Sequence, residues 1–363
     1  MKEAYMKNSS RRSKRIIAAA AASAVVAVPF LSGCNSDADN SNNESMDVVA
    51  TTTQICDYAK EIAKDNVKLI CLLAPNASAH DHEMTPKQMN ALSKAKLFMV
   101  NGVDLEHFLD SAVDASGFKG TMVVTSGILT ANEVKDSSAA AKNDKDKPYT
   151  VDRGDQKVNV APWPFAPEPG EQPEFEYDPH VWTSPKNAKI QVENIVDALA
   201  DKEPSVKEVG EKYTKQLDEL DKWVTESLET VPEQDRALFT SHDAFGYFSN
   251  DYDVKFIGSA LTDFNNQQDA TSSHIEDAAK EVRDSGAKAI FAENSNNSKS
   301  IEAIARAAGV KAIMDDDALY GDSLGVPNSD GATYIGSIIH NVTTLVKAWD
   351  GEAADLPDSL DNA

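Results

Sequence analysis

The sequence predicts an α/β fold with two lobes, mainly parallel sheets, and one long rigid α-helix that joins the lobes. Short runs rich in β-branched and aromatic residues alternate with amphipathic helical stretches, an order typical of parallel βα units. The alternation occurs twice, once on each side of a long helical stretch. A chain of 363 residues also suits two compact domains better than one.

Eight short segments have the composition of strands. In the first half they are 48–53, 67–73, 96–100 and 121–125, and in the second half they are 237–241, 254–259, 288–292 and 310–314. Open α/β domains bind ligands outside the carboxyl ends of their strands. Residues just after these segments are therefore the first candidates for a functional site.

One continuous helix is predicted between the halves, because apolar residues from Val206 to Leu228 recur at steps of three and four. At 1.5 Å per residue it is about 33 Å long, enough to run the height of a domain. Such a stiff connector predicts small lobe movements on ligand binding. We predict an N-terminal lobe over 47–203, a connecting helix over 204–230, a C-terminal lobe over 231–349, and a loose acidic tail over 350–363.

The N-terminus has the features of a lipoprotein signal peptide. Basic residues between positions 11 and 15 precede an unbroken small and apolar run over 16–30, which is shorter than the roughly 20 residues of a membrane-spanning helix. The run ends in Leu31-Ser32-Gly33-Cys34, which resembles a bacterial lipobox. We predict a signal peptide over 1–33, lipid modification of Cys34, and a polar tether over 34–46, which together hold the protein on the outer face of the cell membrane.

The chain is strongly acidic, with a formal net charge of −24 at pH 7, which argues against nucleic acid as a partner. Residues 137–178 form a long segment that is dense in Pro, Asp, Glu and Lys and shows no strand or helix period. Such a loop is either a solvated insertion or an acidic lip that raises the cation concentration near a site.

Two cysteines, Cys56 and Cys71, remain after Cys34. Cys56 opens a helical pattern and Cys71 lies in an apolar run. A disulfide and two buried thiols are equally compatible with the sequence, so the choice between them stays open.

Four residues stand where a ligand site would be built. His80 follows the second predicted strand through a short loop, and His242 directly follows the fifth. His180 closes the acidic segment, and Asp322 lies in the loop after the last predicted strand. Three imidazoles and one carboxylate suit four-coordinate Zn²⁺. Because two candidates come from each half, the sequence indicates a site assembled between two lobes.

Four ordered motifs carry a family resemblance. They lie at 74–86, 178–182, 240–248 and 320–325, and they include Ala74-Pro75-Asn76-Ala77-Ser78-Ala79-His80, Asp178-Pro179-His180, Ser241-His242-Asp243 and Tyr320-Gly321-Asp322. With these motifs, the chain resembles the zinc/manganese solute-binding lipoproteins of ABC transporters, the ZnuA/TroA-like family, over about residues 47–349.

The resemblance implies one metal ligand per motif, on His80, His180, His242 and Asp322, in a cleft between two α/β lobes. It also implies a binding protein without catalysis that delivers its ion to an ABC transporter permease, and we expect it to be a monomer. His242 stands where manganese-selective relatives tend to carry Glu, so we favour Zn²⁺, with Mn²⁺ as the alternative.

The sequence departs from the family pattern at three places. His82 stands where relatives usually have an aromatic residue, which makes it an alternative to His80 as a ligand. The segment before His180 is acidic and lacks the histidine-rich loop of many zinc-binding members. Three consecutive aspartates also crowd the fourth ligand region, so Asp317 is a fallback for Asp322.

Other polar residues have weaker claims. Glu293 directly follows a predicted strand and is a candidate for orienting an imidazole or for a contact through water. Asp178 and Asp243 adjoin candidate ligands and either do the same or cap turns. The other histidines, which are not expected to bind metal, are His107 in a predicted helix, His274 and His340.

Two other functions would use the same residues. A surface zinc hydrolase is the alternative from a different class, because His80 and His82 form a His-x-His run. A catalytic zinc, however, usually keeps three protein ligands and an open position for water. A metal-binding adhesin or sequestration lipoprotein would share the site and differ only in its partner.

Overall fold

The computed structural model describes residues 45–80, 82–136, 138–163, 175–261 and 271–361. The predicted signal peptide, Cys34, most of the tether, Asp81 and the middle of the acidic segment lie outside these residues. Within the described ranges the chain has the predicted α/β architecture with parallel sheets. In these same ranges, none of the helices has both the length and the apolar character needed to cross a bilayer.

The first half builds one five-stranded parallel sheet in the order β2-β1-β3-β4-β5. Its strands are β1 (Met46–Ala50), β2 (Val67–Cys71), β3 (Leu97–Val100), β4 (Thr121–Val124) and β5 (Thr150–Asp152). All four residues of the central strand β3 are apolar and buried, as expected for a parallel strand with helices on both faces.

The second half contains two two-stranded parallel sheets, β6-β7 and β8-β9. Their strands are β6 (Ala237–Thr240), β7 (Lys255–Ser259), β8 (Ala289–Phe291) and β9 (Lys311–Ile313). β6 packs beside β8, and an isolated parallel bridge joins Glu293 to Leu319 just beyond β8 and β9. The carboxyl ends of β6, β8 and β9 therefore lie near one another, which brings His242, Glu293 and the Asp322 loop to the same edge.

The described residues include eleven α-helices, which cover and connect these sheets. They are α1 (Thr53–Ala63), α2 (Pro86–Leu92), α3 (Leu109–Ser116), α4 (Ala131–Lys135), α5 (Ala139–Asp144), α6 (Pro185–Ala200), α7 (Val206–Leu228), α8 (Gly246–Asp251), α9 (Ser272–Ser285), α10 (Lys299–Ala308) and α11 (Tyr334–Ala348). Four of them begin after a threonine whose hydroxyl accepts a backbone N–H of the first turn, at Thr52, Thr85, Thr271 and Thr333.

The helix α7 spans the connecting segment predicted from periodicity. Its apolar stripe, which includes Tyr213, Leu217, Leu220 and Trp223, is buried. The helix packs against α1 and α6 from the first half and against α11 from the second. One helix thus serves as a common support for both halves, while the exact domain limits stay a prediction.

Two expectations about irregular segments were wrong. The segment 137–178 was expected to contain no regular structure, but it contains α5 and the edge strand β5. Arg153 stabilises this region because its guanidinium binds both Glu133 and Asp144. The tail after Asp350 is not loose either: Leu360 is buried, and the Trp223 indole N–H donates to the carbonyl of Ala354 at 3.0 Å.

The open question about the cysteines is answered by a disulfide between Cys56 and Cys71, whose Cα atoms are 5.7 Å apart. The bond joins α1 to the end of β2. The helix α1 contains Gln54, which contacts the Asp322 loop, and β2 leads towards His80, so the disulfide braces the first half next to the site.

Candidate metal centre

The structure brings together the four residues that the sequence singles out. One ligand atom each from His80, His180, His242 and Asp322 lies within 4.8 Å of the other three. All four residues are buried, with His180 and His242 fully inaccessible and His80 the most exposed at 6%. Buried charged and ionisable groups normally occur in pairs or around a metal ion, so this cluster is not an ordinary piece of core.

The distances between these atoms fit a four-coordinate ion. The Nε2 atoms of His80 and His180 are 3.0 Å apart, and each lies 3.5 Å from Asp322 Oδ1. His242 Nε2 lies 2.9 Å from the same oxygen. Ligand atoms on a tetrahedral zinc with bonds of about 2.0 to 2.2 Å would be about 3.3 to 3.6 Å apart. The cluster therefore needs only small shifts to surround such an ion.

Each candidate ligand is supplied by a loop at the end of a strand or the start of a helix. His80 follows β2, and its backbone N–H donates to Ser78 Oγ at 3.2 Å. His242 follows β6, and Thr240 Oγ1 donates to its carbonyl. His180 precedes a turn of 3₁₀ helix that leads into α6. Rigid elements thus set the position of each loop.

Two buried carboxylates hold imidazoles by their second nitrogen. Asp178 Oδ1 lies 2.8 Å from His180 Nδ1 and accepts the backbone N–H of the same residue at 2.9 Å. Glu293 Oε2 lies 2.7 Å from His242 Nδ1, and Glu293 Oε1 accepts the backbone N–H of His242 at 2.9 Å. In each case Nδ1 is the nitrogen that faces the carboxylate, so Nε2 is directed at the centre of the cluster.

Glycines make room for both carboxylates. A side chain at Gly246 would overlap Asp178 Oδ2, and a side chain at Gly321 would overlap Glu293 Oε2. Any other residue at these two positions would push the carboxylate away from its histidine. The requirement for glycine here is steric and not conformational.

The cluster has an uneven charge distribution. Burial lowers the pKa of His180 despite the nearby Asp178 carboxylate. Burial also opposes protonation of His242, but Asp322 and Glu293 raise its pKa well above the usual range. Burial disfavours the Asp322 carboxylate, yet His242 and His80 hold its pKa well below the usual range. Without an ion, a protonated His242 lies between two carboxylates and neutralises part of their charge.

The backbone of the Asp322 loop is held by donors from the first half of the chain. Gln54 Nε2 donates to the carbonyl of Asp322 at 3.1 Å, and the Trp182 indole N–H donates to the carbonyl of Gly321 at 2.8 Å. Ser78 Oγ donates to Asp322 Oδ2 at 3.1 Å. The sequence reasoning missed Gln54 and Trp182, although Trp182 lies within the second motif and Gln54 lies just after the first strand.

A second missed feature supports His180 from behind. Asn101 Nδ2 donates to the carbonyl of Pro179 at 2.9 Å, and the backbone N–H of Asn101 donates to Glu106 Oε1 at 2.6 Å. Glu106 is buried, which raises its pKa, and it also accepts the hydroxyl of Thr51 at 2.7 Å. This polar network fixes the turn that presents His180.

The weaker candidates lie outside the four-residue group. His82 packs against Phe108, with ring centroids 5.2 Å apart, and burial lowers its pKa. Asp317 belongs to an exposed 3₁₀ turn, and Asp243 is next to His242 but is not among the clustered ligands.

The other histidines have ordinary contacts. His107 lies in the turn before α3 and not in a helix, and its ring is 5.5 Å from that of Phe175. The Nε2 atom of His274 lies 3.0 Å from the carbonyl of Ala260, and that of His340 lies 3.1 Å from the carbonyl of Ala318.

Known proteins share both the sequence pattern and the fold. The family model described as zinc-uptake complex component A, periplasmic, matches residues 48–348. The manganese-binding lipoprotein MntA of Bacillus subtilis is 28% identical over 333 residues, which cover 90% of this chain and 97% of that protein. The zinc-binding protein TroA of Treponema pallidum is 27% identical over 307 residues, which cover 83% of this chain and 88% of that protein. A solved structure of TroA superposes with a TM-score of 0.65 at 26% identity and covers 83% of this chain and 98% of that chain.

Proposed function

Because the chain belongs to the zinc-uptake complex component A family, we propose that it is the solute-binding protein of a metal ABC importer whose cargo is Zn²⁺. Family membership makes it an extracytoplasmic binding protein for a metal ion and not an enzyme. The choice of zinc, the ligand set and the lipid anchor are the proposed parts.

The proposal depends above all on the convergence of four ligand atoms from four distant segments. Three imidazole nitrogens and one carboxylate oxygen lie within 4.8 Å of one another in buried residues. We propose that Nε2 of His80, His180 and His242, together with Asp322, binds the ion. Four protein ligands would fill a tetrahedral shell and leave no position for a reactive water, which argues against the hydrolase alternative.

The donor set favours zinc over manganese. Imidazole suits Zn²⁺, whereas Mn²⁺ prefers carboxylate, carbonyl and water oxygens in six-coordinate sites. Relatives that are named for each metal are about equally similar to this chain, MntA at 28% and TroA at 27% identity. The preference for zinc therefore rests on the third imidazole, His242, and Mn²⁺ is the alternative cargo.

Binding replaces a proton by the ion. The raised pKa of His242 between Asp322 and Glu293 favours a proton on each nitrogen, and we expect the ion to displace the one on Nε2. The proton on Nδ1 would stay on the side that faces Glu293 Oε2, 2.7 Å away. Asp178 holds His180 in the same tautomer, so little reorganisation is needed when the ion enters.

The partners follow from the same proposal. The loaded protein would dock as a monomer on the permease of its importer, held near the membrane by a lipid at Cys34. Relatives named as lipoproteins support the anchor. The names of the relatives state metal binding and transport, and they give no support to the adhesin alternative.

A metal titration of the purified protein tests the proposal. We expect one tightly bound Zn²⁺ per chain, preferred over Mn²⁺ in direct competition, and lost in His242→Ala. The exposed substitution Val326→Ala is a matched control because it removes a side chain that is 49% exposed. A preference for Mn²⁺ would overturn the choice of cargo, and the absence of a tightly bound metal would overturn the site itself.

A further inference from the structure

Two aromatic side chains lie against the metal ligands on the side of His80. The ring of Phe175 is 5.6 Å from that of His80, and the ring of Trp163 is 6.1 Å from that of His180, measured between centroids. The two aromatic rings also contact each other at 5.3 Å. We call Phe175 and Trp163 the aromatic pair. The proposed function does not use either residue.

A short ribbon anchors the aromatic pair to both halves of the chain. The backbone N–H of Trp163 donates to the carbonyl of Glu176 at 3.0 Å, next to an antiparallel bridge between Pro162 and Tyr177. Tyr247, in α8 of the second half, donates its hydroxyl to the carbonyl of Asp178 at 2.7 Å. Glu176 forms an ion pair with Lys135 in the first half. These contacts hold the backbone that carries the two rings next to the candidate ligands.

The ligands are too well buried for an ion to pass while the structure stays still. His180 and His242 are 0% exposed, and Asp322 is 2% exposed. His80 is the most accessible ligand at 6%, and the ring packed on it belongs to Phe175, which is itself only 3% exposed. Among the described residues, the aromatic pair therefore packs on the ligand that solvent reaches most easily.

We propose that the aromatic pair excludes water from the metal site and thereby controls both the rate of ion exchange and the preference for zinc over manganese. This inference rests on the proposed metal site. An apolar shell around a metal controls the access of solvent to it. Zn²⁺ tolerates a dry, four-coordinate site, whereas Mn²⁺ favours six ligands and would need added water oxygens. Removing the cover would thus admit water, speed zinc release, and help manganese more than zinc.

The test compares Phe175→Ala with Phe175→Leu and with the control Phe108→Ala. Phe108 lies in the same half of the chain and its ring contacts His82, which is not among the clustered ligands. Zinc-loaded full-length protein is mixed with excess chelator to give the release rate. Competition gives the Zn²⁺ to Mn²⁺ affinity ratio, and water-proton relaxation of the Mn²⁺-loaded protein reports water bound to the ion.

We expect Phe175→Ala to release zinc about ten-fold faster, in line with the effect of changes around a ligand shell, and to lower the affinity ratio. Its Mn²⁺ form should show higher water relaxation. Phe175→Leu should have a zinc release rate and an affinity ratio close to those of the wild type, because leucine keeps an apolar cover. Phe108→Ala should have the wild-type values of both quantities. A lower unfolding midpoint in Phe175→Ala would mean that the substitution destabilises the whole protein. In that case the same three measurements are made on Trp163→Leu, because Trp163 is only half-buried.

Two results would overturn the inference in different ways. Unchanged release, affinity ratio and relaxation in Phe175→Ala, with one zinc bound per wild-type chain, would refute the role of the aromatic pair and leave the metal site intact. A wild-type protein that binds no zinc or manganese would refute the metal site, and the inference with it.

Discussion

The contact between Asp178 and His180 offers a direct test of how the ligands are held. Asp178 Oδ1 lies 2.8 Å from His180 Nδ1 in a site where both side chains are almost fully buried. In Asp178→Asn the shape is kept and the charge is lost. The amide would either accept the Nδ1–H as a neutral partner or turn its NH₂ group towards the ring, which would move the proton to Nε2 and block metal binding.

The size of the effect follows from the kind of hydrogen bond that is lost. A bond to a charged group contributes about 1.5 to 3 kcal/mol, and a neutral one contributes about 0.5 to 1.5 kcal/mol. The difference of about 1 to 1.5 kcal/mol corresponds to about ten-fold in affinity. Substitution of a residue that hydrogen-bonds a metal-bound histidine typically lowers metal affinity by about 10 to 100-fold. The value worked out from the hydrogen bond lies at the lower end of that range.

The assay is zinc competition with a coloured chelator, on wild type, Asp178→Asn and Asp218→Asn. Asp218 is exposed and paired with Lys189, so its substitution changes the net charge equally and leaves the site untouched. Urea unfolding of the metal-free proteins controls for a general loss of stability. A zinc affinity equal to the wild type in a folded Asp178→Asn protein would refute the idea that this carboxylate orients His180.

Four further predictions address stability, pH and shape. The double substitution Cys56→Ser and Cys71→Ser removes a disulfide between positions 15 residues apart. It should lower the free energy of unfolding, measured in urea titrations, by about 3 kcal/mol. A free energy of unfolding equal to that of the wild type would contradict the disulfide. Burial, partly offset by the Tyr334 N–H, raises the pKa of Asp57 to about 7, so the folded state keeps its proton while the unfolded state loses it above about pH 4. The free energy of unfolding that Asp57 contributes is therefore full below about pH 4 and falls by about 4 kcal/mol by about pH 7. The variant Asp57→Asn lacks this pH dependence, so its free energy of unfolding relative to wild type should increase by up to that amount over the same pH range. Because the pKa of His242 is raised, zinc must displace a proton from it in the neutral pH range. Zinc affinity should therefore rise by about ten-fold per pH unit through this range, whereas an ordinary histidine would give this dependence only between about pH 6 and 5. A zinc affinity that does not change with pH in chelator competition would contradict this prediction. Finally, small-angle scattering should give nearly equal radii of gyration with and without zinc, and a large change would contradict a stiff α7.

The parts of the site that could be predicted from the sequence are those set by strand ends. His80, His242 and Asp322 follow strands β2, β6 and β9, and topology alone places such residues at the edge of a sheet. Glu293 follows β8 in the same way and does contact His242. The periodic apolar stripe of α7 also identifies this long helix without any knowledge of its neighbours.

Other features could not be predicted because their partners are backbone atoms or single side chains. Gln54 and Trp182 donate to carbonyl oxygens, which carry no sequence information. The strand β5 has three residues, too few to show a period, and is defined only by its pairing with β4. The tail looked loose because its acidic composition hides the buried Leu360, and because Ala354 is held through its backbone carbonyl.

The position of the carboxylate ligand depends on both halves of the chain. Asp322 belongs to the second half, yet Gln54 and Trp182 from the first half hold the carbonyls of its loop, and Ser78 donates to its side chain. The first half also supplies His80 and His180. If the ion binds as proposed, a shift of the loop that breaks these donors would remove the one carboxylate of the proposed ligand set and leave three neutral imidazoles around the ion. Since charge-assisted contacts are the strong ones in a buried site, such a local shift would weaken binding without a wide separation of the two halves of the chain. Under the proposed function, a local shift of this loop would let the ion leave while α7 keeps its place.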